Sequence, residues 1–246
     1  MARAEDLDGW LTYGAAPTIV GYDVSNDPRQ GPYDLPPAPI ASARLTAVVP
    51  PASTDAVGPR CMGTPTWVCL DAAVQTGDVP LAVGRPSSAQ ALTNLAPLAE
   101  AGRYGDPDVD PVSALERDTQ SYRDALSPQR SPAGDVAEQL DQLAATNGLD
   151  AMAVAPDRLA QRAVRQSSDR QTDLRALSVA PAASAVVVLA RTRAGDLSND
   201  VEEALLVDGA PADALAARGY RIDPDADVPT TGEAGFLYQV WKVLEA

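Results

Sequence analysis

The chain has 246 residues, a formal net charge of −15, no histidine and 45% hydrophobic residues. That length and apolar share support one or two folded domains with a sizeable core and exclude a disordered tail. The acidic balance excludes nucleic acid and anionic membrane surfaces as partners, since both need a basic footprint, and the lack of histidine removes the usual general base and transition-metal ligand.

Residues 1 to 40 are irregular: SNDPRQGPYDLPPAP carries five prolines and reads as an extended loop, with TIVGYDV (18–24) as a strand candidate. The opening MARAEDLDGWLTYG lacks the basic start and apolar core of a secretory leader. No apolar run approaches the ~20 residues a spanning helix needs. ARLTAVVP (43–50) is a buried strand closed by two prolines.

RCMGTPTWVCLD (60–71) holds both cysteines, Cys61 and Cys69. A zinc site needs four ligands; here Asp55, Asp71 and Asp78 are the available additions, an uncommon donor set. A thiol redox pair needs a C-x-x-C spacing, which is absent. A turn at Gly63-Thr64-Pro65 brings the flanks within bonding reach, so a disulfide is favoured over two buried free thiols. A disulfide implies an oxidising compartment. The expected location is therefore extracellular or cell-surface, with the leader or anchor absent from this chain; the alternative is a cytosolic protein with both cysteines reduced.

VPLAVG (79–84) reads as a strand and RPSSAQALTNLAPLAEAG (85–102) as a helix capped by Ser87 or Ser88, with Ala91, Leu92, Leu95 and Leu98 as its apolar stripe. Asp110-Pro111 starts a helix to about residue 126, and Ser131-Pro132 another that presents Val136, Leu140 and Leu143 and stops at Asn147-Gly148. LDAMAVAP (149–156) is a strand and DRLAQRAVRQSS a helix whose Arg158, Arg162 and Arg165 form a solvated face. LRALSVAP (174–181) and SAVVVLAR (184–191) are strands; LSNDVEEALLV and PADALAARG are helices. GEAGFLYQVWKVLEA closes the chain as an amphipathic helix, with Phe236, Tyr238 and Trp241 docking on the core. Alternating short strands and helices imply an α/β fold with mainly parallel strands.

The order of these elements resembles the type II periplasmic, or extracellular, solute-binding proteins. Within them it is most like the molybdate- and sulfate-binding branch, in particular actinobacterial members often joined to von Willebrand A domains. Four stretches carry the resemblance, over about residues 40 to 222: IASARLTAVVP, VPLAVGRPSSAQAL, QLAATNGLDAMAVAPDRL and LRALSVAPAASAVVVLAR with LAARGYR. It implies two lobes with mainly parallel sheets, residues 1–78 with 181–246 forming the first and 79–180 the second. It also places Cys61…Trp67…Cys69 where some members carry a C…TW-x-C insertion. The chain departs from the pattern in two ways. Forty Pro-rich residues stand where two strand–helix units precede the first matching stretch, so the first lobe is reduced, and Ala155 and Pro156 stand where members place a polar side chain toward the ligand.

The ligand set that the resemblance implies is Arg85, Ser87, Ser88 and Ala89 at a helix start, with Ser42 on the hinge-side strand. A helix N-terminus suits an anion, and capping alone also accounts for the serines. Asp223, Asp225 and Asp227 are spaced like the first ligands of a calcium loop, but Val228 and Ala234 break that pattern and leave a solvated loop. No metal or cofactor is expected. Acyl transfer lacks its parts without histidine, and the function that the resemblance implies is a non-catalytic extracellular solute-binding-like domain, degenerate in ligand binding to the extent that it binds a small anionic or polar ligand weakly. The alternative is a protein-interaction or sensory ectodomain with a protein partner at the cell surface.

Overall fold

In the computed structural model the described residues are 8–82, 88–104, 135–145, 150–170, 172–193, 195–197, 199–207 and 209–245. The chain divides into two compact units: Met1–Ala43 with Ser184–Gln239, and Arg44–Ala183 with Val240–Ala246. The stretch 44–78, expected in the first lobe, therefore groups with the second unit.

The first unit contains strand β1 (Gly9–Tyr13), helix α1 (Ala16–Ser25) and the opening residues of β2 (Ala38–Val49). After the second unit the chain returns with β6 (Ser184–Arg191), α7 (Asn199–Leu206), α8 (Ala210–Ala217), β7 (Arg221–Ile222) and most of α9 (Thr231–Glu245). β1 pairs antiparallel with β6, from Gly9 opposite Arg191 to Tyr13 opposite Val187, and β7 pairs antiparallel with β2 at Ala41 opposite Ile222.

The stretch 18–24, expected as a strand, is helical. Thr18, Ile19 and Val20 favour a strand locally, but Pro17 in the first turn presets a helical φ. Asn26 ends the helix in the left-handed region, at φ 56°, with its N–H returned to the Tyr22 carbonyl. Gly21 is required here, because a Cβ would lie 2.7 Å from Pro28 Cα.

The second unit contains the rest of β2, α2 (Pro51–Arg60), α3 (Trp67–Gln75), β3 (Leu81–Ala82), α4 (Ala89–Tyr104), α5 (Val136–Leu143), β4 (Met152–Pro156), α6 (Asp157–Asp169) and β5 (Arg175–Leu177). β4 runs parallel to β3, with Leu81 opposite Met152, and antiparallel to β2, with Leu45 opposite Pro156; β5 lies antiparallel on β2, with Ala47 opposite Leu177. So the sheet is α/β but mixed, not mainly parallel. The sequence pattern misleads because β4 is buried along its whole length. A strand covered on both faces reads as one continuous apolar run whatever its direction.

The core of this unit joins Val48, Ala82, Leu140, Leu143, Ala153 and Leu159. Each buried leucine contributes roughly 1.5–3 kcal/mol. Asp135, not Ser131, caps α5, its Oδ1 accepting the N–H groups of Ala137 and Glu138 at 2.9 and 3.0 Å. Helix α5 ends at Leu143, before Asn147-Gly148. The helix expected over 110–126 lies outside the described residues, as do Ser131 and Asn147-Gly148. Arg158, Arg162 and Arg165 are exposed, as their spacing predicts. Among the described side chains of α9 the buried ones are Ala234, Leu237 and Val240, while Phe236, Tyr238 and Trp241 are half-buried. The aromatic residues thus flank the buried face instead of forming it. Tyr238 stacks on Tyr22 with ring centroids 5.7 Å apart.

Candidate functional site

The site forms in the second unit, where α4 and α5 begin. Ser88 caps α4: its Oγ accepts the Ala91 N–H at 3.4 Å and its carbonyl accepts that of Leu92 at 3.2 Å. The first N–H groups of the helix, those of Ala89 and Gln90, have no intrahelical acceptor. Asp135 stands at the start of α5 and is committed through Oδ1 to that helix.

Between the two helices and the strands lies a cavity of about 20 Å³, bordered by Ser88, Gln90, Asn94, Asp135 and Gln139 and by the apolar Leu81, Ala82 and Val154. That is room for about one water-sized group. Asn94 and Gln139 are 7% and 3% exposed, yet among the described residues Asn94 Oδ1 and Gln139 Nε2 find no hydrogen-bond partner. Leaving a buried polar group unpaired costs about 1–3 kcal/mol. The pair comprises one acceptor and one donor, a set that a hydroxyl group satisfies by donating to the first and accepting from the second. The charged group among the described lining residues is the Asp135 carboxylate, which disfavours an anion.

The expected ligand set is only partly brought together. Ser88 and Ala89 stand side by side at the start of α4; Arg85 and Ser87 lie outside the described residues. Ser42 belongs to the first unit, is 6% exposed, and donates its hydroxyl in a short hydrogen bond to Asp223 Oδ2. Arg221 Nη2 lies 3.5 Å from the same oxygen. Ala155 is fully buried in β4.

Asn94 and Gln139 were not among the expected site residues. The signal was present in the sequence: Gln139 falls between Val136 and Leu143 on the apolar stripe of α5, and Asn94 adjoins Leu95 on that of α4. A polar side chain at a core position of a helical stripe is the informative observation.

Cys61 and Cys69 are joined in a disulfide with their Cα atoms 5.5 Å apart, as expected. The loop they close is docked through Trp67, 3% exposed, whose Nε1 donates to the Pro181 carbonyl at 2.9 Å. Ala180 N–H donates to Pro65 O at 2.8 Å. Asp78 is engaged by the Thr76 hydroxyl at 2.8 Å and by the Arg60 guanidinium. Thr76 first, then Arg60, hold its carboxyl below the usual carboxylate value. Among the described residues no group of three or more His, Cys, Asp or Glu side chains is placed to hold a metal ion, and no helix is long and apolar enough to cross a membrane.

No protein-family model and no curated protein matches the chain. Solved structures similar to it include the periplasmic binding protein P5PA, at 10% identity over 92% of this chain and 66% of that one, with a TM-score of 0.46. An ABC transporter solute-binding protein from Thermotoga lettingae, bound with α-D-tagatose, is 13% identical over 74% of this chain and 53% of its own length, with a TM-score of 0.38. A sugar transporter from Rhizobium etli in an open conformation is 13% identical over 95% and 69%, again with a TM-score of 0.38. The chain thus spans about half to two thirds of the length of such structures. At these TM-scores the likeness carries no functional argument.

Proposed function

We propose that the chain is a non-catalytic solute-binding domain working outside the cytoplasm, and that the second unit engages a neutral hydroxyl-bearing solute through the cavity at the start of α4 and α5. The observation that carries this reading is the buried, unpaired Asn94 Oδ1 and Gln139 Nε2. Among the described residues neither of these two complementary hydrogen-bonding groups has a partner, and both stand beside a helix start. The disulfide supports an oxidising compartment. The family resemblance of the β3–α4 stretch supports a ligand at this position.

Of the anionic or polar ligand expected, the lining favours the neutral polar kind. The Asp135 carboxylate borders the cavity, and one helix N-terminus contributes only about 0.3–1 kcal/mol toward an exposed anion. Micromolar binding requires roughly 8 kcal/mol. A cavity for one group anchors a solute without enclosing it, so the affinity expected of this unit alone is weak.

Isothermal titration with glycerol, monosaccharides, molybdate, sulfate and phosphate tests the reading. Saturable binding of a polyol or sugar that Asn94→Leu with Gln139→Leu abolishes supports it. Micromolar binding of an oxyanion that Ser88→Ala abolishes overturns it, as does the absence of binding by every polyol and sugar.

A further inference from the structure

A second site lies in the first unit. Helix α7 buries none of its side chains, and in α8 only Leu215 is buried. Beneath these helices, against β1 and β6, is a groove of about 280 Å³. It is partly open to solvent, a surface groove and not a void within the core. Leu11, Val187, Leu205 and Leu215 give it apolar walls, and Tyr13 and Tyr220 add a tilted ring pair with centroids 6.0 Å apart.

Arg218, which follows α8, is exposed and lines the same groove. Among the described residues no carboxylate lies within ion-pairing distance of its guanidinium, as is also true of Arg158, Arg162 and Arg165 on α6; what sets Arg218 apart is its place on the groove lining. An exposed guanidinium beside an apolar, aromatic-lined groove complements a molecule with a carboxylate at one end and an apolar body at the other. We propose that this groove is a binding site for a small monocarboxylate with an aromatic or aliphatic body of roughly ten heavy atoms, the carboxylate held by Arg218.

The site is independent of the Asn94–Gln139 cavity, so its test leaves that reading untouched. Three ligands of one shape separate charge from shape: 3-phenylpropionate, 3-phenylpropanamide and 3-phenylpropylamine, titrated into the full chain by calorimetry and by amide chemical-shift mapping. The carboxylate is expected to bind about fivefold or more tighter than the amide, the margin of one charge-assisted contact, and the amine not to bind. Arg218→Gln is expected to lower carboxylate binding to that of the amide and leave the amide unchanged. Ala214→Phe, placed on the groove lining, is expected to abolish both. No binding of the carboxylate at millimolar concentration, equal binding of carboxylate and amide, or binding that survives Ala214→Phe would each overturn the proposal.

Discussion

Reducing the Cys61–Cys69 bond should destabilise the second unit without changing its native contacts. The cysteines are separated by 8 positions in sequence. Closing so short a loop in the unfolded chain removes conformational entropy equivalent to about 2.5 kcal/mol at 25 °C in the chain-entropy model. The folded loop does not depend on the bond alone. Trp67 is buried and donates to Pro181 O at 2.9 Å, the Trp67 N–H reaches Ala180 O at 3.3 Å, and Ala180 N–H reaches Pro65 O at 2.8 Å. Docking acts on the native state and cross-linking on the unfolded state, so neither substitutes for the other. Urea unfolding with and without dithiothreitol measures the difference. The midpoint should fall by the equivalent of about 2.5 kcal/mol, or roughly 5–10 °C in a thermal scan, with the near-ultraviolet tryptophan signal of the folded protein retained. A change below about 0.5 kcal/mol would refute the entropic account. Loss of the tryptophan signal on reduction would refute the claim that the loop is independently docked.

Trp67→Phe removes the hydrogen bond to Pro181 O while keeping an apolar ring, and should cost about 1–3 kcal/mol in urea unfolding. Ser167 is fully buried, donates to Val164 O at 2.8 Å and accepts the Leu174 N–H at 3.0 Å; Ser167→Ala leaves that N–H unpaired and should cost about 1–3 kcal/mol by the same measurement. Asp78 titrates below its ordinary value when folded, so its stabilisation is present above the ordinary value of 3.8 and is lost as pH falls through the depressed one. An acid titration of unfolding should therefore show a shallower loss below pH 3.8 in Asp78→Asn than in the parent. Asn94→Leu with Gln139→Leu removes two unpaired groups, and should leave the ligand-free protein as stable or up to a few kcal/mol more stable, as read from the thermal midpoint.

The elements were legible in the sequence where the pattern was local. Helix α6 and strands β4 and β6 fall where the apolar spacing puts them, because each is bounded by a Pro, a cap or a turn. Helix α1 was not legible, since Thr18-Ile19-Val20 outweighed the boundary information of Pro17 and Asn26 in a strand-like reading. Strand direction was also hidden. β2 meets β4 through residues more than a hundred positions away, and nothing local in ARLTAVV states which way its partner runs.

The site divides in the same way. Ser88 was legible because capping is a local signature, and the structure leaves it at the head of α4. Ser42 was placed by resemblance to a strand, and its hydroxyl is committed to Asp223, 181 positions away. Asn94 and Gln139 are polar positions within apolar stripes on helices that the sequence does locate. What the sequence cannot state is whether such a side chain finds a partner after folding, because that depends on what packs opposite it. A satisfied buried amide specifies structure; an unsatisfied one carries a cost of about 1–3 kcal/mol that a bound hydroxyl recovers. That difference separates a functional reading of these two residues from a purely architectural one.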